Sequence, residues 1–350
     1  MSKRARLLDR RWPYIGLGLL VVLLYLRAAA SGVAPEWALE SAAPPESDAT
    51  WWQDASEADL LQELVTRRQP AALALGLLMM VMVGLGLGGL VVTCRAAVTG
   101  RLRAAWQLTG PRPPAWTFGE LGRILFFVLA VALLLPFVRI ALLASQPTWQ
   151  LDTNLWLTAS MLLLDVFVIL VIAAFALRTD PHGWSRLGVS TRNLGATVNT
   201  ALVSYVGVFP WLFVLLVLAV EASRHLGLEP PVEPIHRLLF AEDRAPVLWL
   251  TALLACVVGP VAEELFFRGV FYAALRQRNA RVVSMLISGS LFSLIHTNHV
   301  GFLPILALGC LLAYLYERTR SLLAPMAVHI VHNTLLLSLA VIFRTLGPVG

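Results

Sequence analysis

Hydrophobic positions along the chain gather into nine runs, at about 13–30, 70–94, 123–145, 154–177, 198–221, 247–275, 282–297, 302–317 and 322–343. Several reach the length of about 20 residues that a helix needs to cross the hydrocarbon core of a bilayer. They are rich in Leu, Val, Ala and Gly, and none shows the alternation of a barrel strand. The pattern predicts an all-α, polytopic transmembrane helical bundle of about 8–9 transmembrane helices. Composition agrees: 58% of residues are hydrophobic and 14% charged, too few polar residues to cover a soluble surface of this length.

Charge orients the bundle. Basic residues cluster in the N-terminal tail, after the second run (Arg95, Arg101, Arg103, Arg112) and after the fourth (Arg178, Arg186, Arg192). They recur after the sixth (Arg276, Arg278, Arg281) and the eighth (Arg318, Arg320). In a nine-span chain all five groups fall on one side, which the positive-inside rule makes cytoplasmic. The acidic stretch from Glu36 to Glu63 and the loop from Ser223 to Arg244 fall on the other side. The expected setting is therefore a bacterial inner membrane. The net charge of +6 serves orientation, and no basic patch interleaves with aromatics as nucleic-acid binding requires. Cys94, Cys256 and Cys310 stand apart and form neither a CxxC pair nor a disulfide framework.

Four divisions follow. Residues 1–30 form an N-terminal anchor, or a signal peptide ending at Ala28-Ala29-Ala30-Ser31, although Arg27 beside that site favours an anchor. Residues 31–69 form a small extracytoplasmic segment in which Ser56 to Asp59 resembles a capping box beside the Trp51-Trp52 anchor. Residues 70–195 hold further helices without an assignable motif, and residues 198–343 hold the core.

Polar residues within the runs carry the chemistry, because burying them in lipid is costly. The first five runs contain few, chiefly Arg139 and Asp165, which could pair structurally. The last four differ. The sixth contains Glu263-Glu264 with Arg268 and an upstream Pro260, the seventh Phe292 and His296, the ninth His329 and Asn333. Glu264 and Arg268, four apart, share a helical face and can pair, while Glu263 is rotated by about 100° toward a different partner. Pro260 is expected to kink the helix one turn earlier and open room for water. Counted from the cytoplasmic end of each span, Glu263, His296, His329 and Asn333 lie about 10–21 Å deep, on three helices. A carboxylate there can deprotonate water, and a histidine or amide can donate to the oxyanion forming on a peptide carbonyl. Glu263, His296 and His329 could instead hold a Zn²⁺ ion that activates the water, although no HExxH helix is present. Ser293 lacks a nucleophile-elbow context. His299, near a span end, and His332, off the His329–Asn333 face, are expected to stand outside the chemistry.

In order, spacing and placement, Glu263-Glu264-x-x-x-Arg268, Phe292-x-x-x-His296 and His329-x-x-x-Asn333 resemble the EExxxR, FxxxH and HxxxN motifs of the CPBP family of intramembrane proteases (CAAX protease and bacteriocin-processing, or Abi). The resemblance covers about 198–343. It implies a glutamate-dependent endopeptidase with a cavity open to the cytoplasm. Glu263 would be the general base, His296 its partner, and His329 with Asn333 the oxyanion donors. Its members are commonly described as metalloproteases. It also implies a peptide or protein substrate in or at the bilayer, small or prenylated. Two other readings stay open at this point. One is a non-catalytic scaffold or bacteriocin self-immunity protein that keeps the residues for folding. The other is a proton-coupled transporter, which would call for repeated halves not seen in the sequence.

Overall fold

Nine apolar helices carry the chain in the computed structural model, which describes residues 12–31, 69–101, 116–145, 152–178, 183–189, 191, 193–228, 239, 242–296, 298 and 300–346. They are α1 (Trp12–Ser31), α2 (Gln69–Val98), α3 (Phe118–Ser145), α4 (Thr153–Leu177) and α5 (Leu194–Leu226). There follow α6 (Ala245–Leu275), α7 (Arg281–Ile295), α8 (Phe302–Thr319) and α9 (Leu323–Leu346). No strand occurs among the described residues. Seven of the nine are both long and apolar enough to span a membrane, while Pro13–Arg27 within α1 and Arg281–Ile295 (α7) form shorter apolar stretches. The capping-box segment at Ser56–Asp59 and His299 lie outside the described residues.

Lipid-facing side chains stay exposed, while two buried clusters hold the bundle together. One joins α3, α4, α6 and α8 through Ile124, Ile172, Phe175, Val270, Tyr272 and Tyr316. The other joins α5, α8 and α9 through Tyr205, Phe209, Leu312, Leu315 and Val328. Helix α8 thus lies in both. Helix α2 approaches α5 so closely that a Cβ at Gly89 would strike the Val206 carbonyl, and Thr93 Oγ1 donates to Gly207 O at 2.9 Å. Such small-residue crossings replace the hydrophobic drive that lipid removes.

Polar groups clasp both ends. At one end, Arg244 donates to Glu242 through Nε (2.8 Å) and Nη2 (2.6 Å) and to Asp152 Oδ1 (2.6 Å), tying the start of α6 to the start of α4. At the other, the buried Glu317 of α8 accepts from Tyr272 (2.8 Å) and lies within 3.4 Å of Arg276, Arg281 and Arg320. Arginines that read in the sequence as markers of sidedness therefore also close α6, α7 and α8 around one carboxylate. Arg244 hydrogen bonding holds the Glu242 carboxyl down at about 2, against about 4.5 for a free glutamate. A lowered carboxyl pKa stabilises the fold above the unfolded value and loses that contribution as pH falls toward the folded one. Arg244→Ala should therefore melt below wild type at neutral pH. The gap should narrow as pH drops from about 4.5 to about 2, and circular dichroism melts across that range would test it.

Arg139 and Asp165 do not pair. Arg139 Nη2 donates to Thr153 Oγ1 at 3.1 Å, whereas the Asp165 carboxylate lies beside Gly259 of α6. The reason is depth: measured from the same face, Arg139 lies about 9 Å along α3 and Asp165 about 18 Å along α4.

Candidate active site

The site is built on α6, and Pro260 shapes it. A proline inside a helix has no N–H to give and crowds the preceding turn. Here the turn before it widens into a π-helical stretch, Leu254–Val258, in which Gly259 N–H bonds back to Leu254 O. A regular α turn, Gly259–Glu264, follows, and then a second π stretch, Leu265–Tyr272. The kink expected from Pro260 thus takes the form of local widening, a feature that recurs at functional sites. In that register the Ala255 carbonyl is the acceptor for residue 260, which is the proline. Asn333 of α9 supplies the missing donor, its Nδ2 giving a hydrogen bond to Ala255 O at 2.9 Å. Asn333→Ala should cost about 1–2 kcal/mol in unfolding experiments by orphaning that carbonyl.

Glu264 and Arg268 are both fully buried and pair through Arg268 Nη1 and Glu264 Oε1 at 2.6 Å. Arg268 Nη2 also donates to Gly309 O at 3.1 Å, across a close crossing where a Cβ on Gly309 would lie 3.0 Å from Gly289 Cα. The guanidinium lies over the Phe292 ring, 4.5 Å from its centroid, a cation–π contact in a dry setting. His329 Nδ1 donates to Glu264 Oε1 at 2.9 Å, because an ionised carboxylate only accepts. Its other nitrogen, Nε2, lies 3.7 Å from Glu263 Oε2. Glu264, Arg268 and His329 therefore form one chain of charge-assisted bonds, and Glu263 stands at its end.

Glu263 is different from its neighbour. Its side chain is 32% exposed where that of Glu264 is fully buried, and it makes no hydrogen bond among the described residues, although Oε2 of each glutamate is shut away without a partner. Adjacent carboxylates on one helix are thus given unlike surroundings, the arrangement by which sites separate a reacting acid or base from a structural one.

His296 closes α7. Its Nδ1 donates to the Phe292 carbonyl at 2.7 Å, which leaves Nε2 for another partner. No hydrogen bond or ion pair joins it to Glu263 among the described residues, and His329 takes the position beside Glu263. The Phe292 ring packs against both histidines, at 4.7 Å from His296 and 5.6 Å from His329. Phe292, Gly309 and Ala255 thus shape the site although the sequence marked only Phe292, and that as part of a motif. His332 shares a hydrogen bond with Tyr205 OH at 3.0 Å on the α5 side, away from the glutamates. Ser293 Oγ donates to Phe302 O at 2.7 Å and helps to close the α7–α8 turn, where Asn298 Oδ1 accepts from Gly301 N at 2.8 Å.

A structural or catalytic Zn²⁺ asks for three or four converging protein ligands. Among the described residues no three His, Cys, Asp or Glu side chains converge in that way: Glu264 is taken up by Arg268 and by His329 Nδ1, which leaves Glu263 and His329 Nε2 as a pair. The residues present do not make a zinc site in this arrangement.

Residues 245–335, which hold Glu263, Glu264, Arg268, His296, His329 and Asn333, match the family model described as type II CAAX prenyl endopeptidase Rce1-like. The "Putative membrane peptidase YdiL" of Bacillus subtilis (strain 168) is 32% identical over 85 residues, 24% of this chain and 35% of that protein. An "Uncharacterized 24.3 kDa protein" of Escherichia coli is 31% identical over 151 residues, 41% of this chain and 64% of that protein. The chain thus spans about a third of the first relative's length and just under two thirds of the second's. No solved structure matches the chain significantly.

Proposed function

The core of this chain belongs to the CAAX protease family, and from that premise we propose that it is an intramembrane endopeptidase in which Glu263 activates water against a peptide bond. The observation that carries the reading is the inequality of the two glutamates. Each keeps its Oε2 buried without a hydrogen bond, but Glu264 is fully enclosed with Oε1 held by both Arg268 and His329, while Glu263 is 32% exposed and makes no hydrogen bond among the described residues.

In this mechanism Glu263 takes one proton from water as the oxygen bonds to the carbonyl carbon. The second N–H of the Asn333 amide, left over from its bond to Ala255 O, is the group suited to donate to the developing oxyanion. As the C–N bond breaks, Glu263 returns its proton to the leaving nitrogen. His329, tethered to Glu264, fixes where Glu263 points. With only Glu263 and His329 paired as donors, the base chemistry is assigned to side chains rather than to zinc.

The substrate class is a peptide or protein segment in or at the bilayer, prenylated or small. The basic loops argue for a cavity facing the cytoplasm of a bacterial inner membrane. The test is purified full-length chain in detergent with quenched peptides, some prenylated, with and without chelator. Wild type should cleave, with chelator making no difference, and Glu263→Gln should not. Cleavage that survives Glu263→Gln would remove Glu263 as the base. A biological activity that persists in that variant without cleavage would favour the scaffold reading.

A further inference from the structure

Asp165 is the one acidic residue within the α4 span, and no motif accounts for it. It lies outside the segment 245–335 that the family model covers. Its Oδ2 would stand 3.4 Å from a Cβ built on Gly259, in van der Waals contact, so the carboxylate lies directly against α6 at that position. The stretch Gly259–Glu264 is regular α-helix, so Gly259 and Glu263, four apart, share a face. Asp165 therefore sits over the face from which Glu263 projects. No hydrogen bond or ion pair to Asp165 occurs among the described residues. An uncompensated carboxyl in a membrane span is costly and serves helix packing poorly. Across from it, Glu263 Oε2 is buried without a hydrogen bond among the described residues.

We propose that Asp165 is a positioning residue of the reaction site, holding the second hydrogen of the water whose first hydrogen passes to Glu263. The role rests on the hydrolytic reading above. A water with its two O–H bonds directed at two carboxylates has its lone pairs turned toward a third direction, that of the substrate carbonyl. On attack the oxygen–carbon bond forms and one proton moves to Glu263. The other stays on the oxygen, bonded to Asp165, and leaves with the new carboxyl group. Glu263 returns its proton to the amine, so the site is restored.

Two readouts on full-length protein in lipid nanodiscs, at one fixed pH, decide the matter. The first is the infrared carboxyl band of Glu263, identified by its loss in Glu263→Gln, compared between wild type and Asp165→Asn. The Asp165 band is compared in the reverse direction. The second is steady-state cleavage of a quenched peptide that wild type cuts. Reciprocal band shifts are expected, with kcat about 10- to 100-fold lower in Asp165→Asn at little-changed KM and unchanged melting. Partial recovery is expected in Asp165→Glu. Asp165→Asn that cleaves like wild type overturns the proposal. So does lost cleavage with unshifted bands, which would mark a merely structural role. Wild type that cleaves no peptide while the bands shift reciprocally sinks the hydrolytic reading, and the water-positioning role with it. Unshifted bands alone remove Asp165 from the site whatever cleavage shows.

Discussion

Arg268→Met should lower the unfolding free energy by about 3–5 kcal/mol, because it leaves the Glu264 carboxylate buried without its cation. Both side chains are fully enclosed, so solvent cannot screen the loss, and the Phe292 ring loses the guanidinium packed on it. The His329 bond to Glu264 remains, but one imidazole N–H does not replace a charged partner at 2.6 Å. Denaturant titration in mixed micelles, followed by circular dichroism, measures the cost. The double variant Glu264→Leu/Arg268→Met removes both charges and should regain most of it, since apolar replacement of a whole buried pair is often close to neutral. It should still fail to cleave peptides, because nothing then holds His329 beside Glu263. Arg268→Met with wild-type unfolding would show that the pair does not form.

The second large effect concerns Glu263 itself. Glu263→Gln keeps the shape of the side chain but cannot accept a proton from water. A general base of this kind contributes roughly 100- to 10,000-fold, so kcat/KM should fall by that range while the unfolding curve stays in place. Glu264→Gln should behave in the opposite way, with stability lost first and cleavage lost as a result. Measuring both quantities for both variants separates the roles of the neighbours. Equal and parallel losses in the two variants would contradict the division of labour drawn here.

Much of this architecture could be read from the chain because lipid imposes a simple rule. Every backbone polar group must be satisfied within its own segment, so each crossing becomes an uninterrupted apolar run. Glu264 and Arg268 were legible for a similar reason, since four residues on one helix fix their proximity before any fold is known. What lay between helices was not. Pro260 signalled a disturbance, but the sequence does not show that Ala255 O loses a donor or that Asn333 supplies one. His296 was the histidine expected beside Glu263, yet His329 is the one bonded or paired to the glutamates among the described residues, while α7 ends at His296, whose Nδ1 closes that helix. Asp165 looked like a partner for Arg139 until depth along antiparallel helices separated them. Arginines beside a buried Glu317 cannot be told by sequence from arginines facing water.

The hairpin of α7 and α8 has a mechanical consequence for the surrounding lipid. Helix α7 has 15 residues, so it rises about 22 Å, less than the roughly 30 Å of hydrocarbon beside it, while α8 with 18 is among the shortest of the spanning helices. Acyl chains bordering this hairpin must shorten or splay to meet it, which pinches the bilayer on that flank. A substrate segment drifting along the pinch would find its own length mismatched there and its backbone nearer to headgroups and water. Membrane thickness would then set how readily such segments arrive, and reconstitution into lipids of increasing acyl length should slow their capture without touching a single side chain.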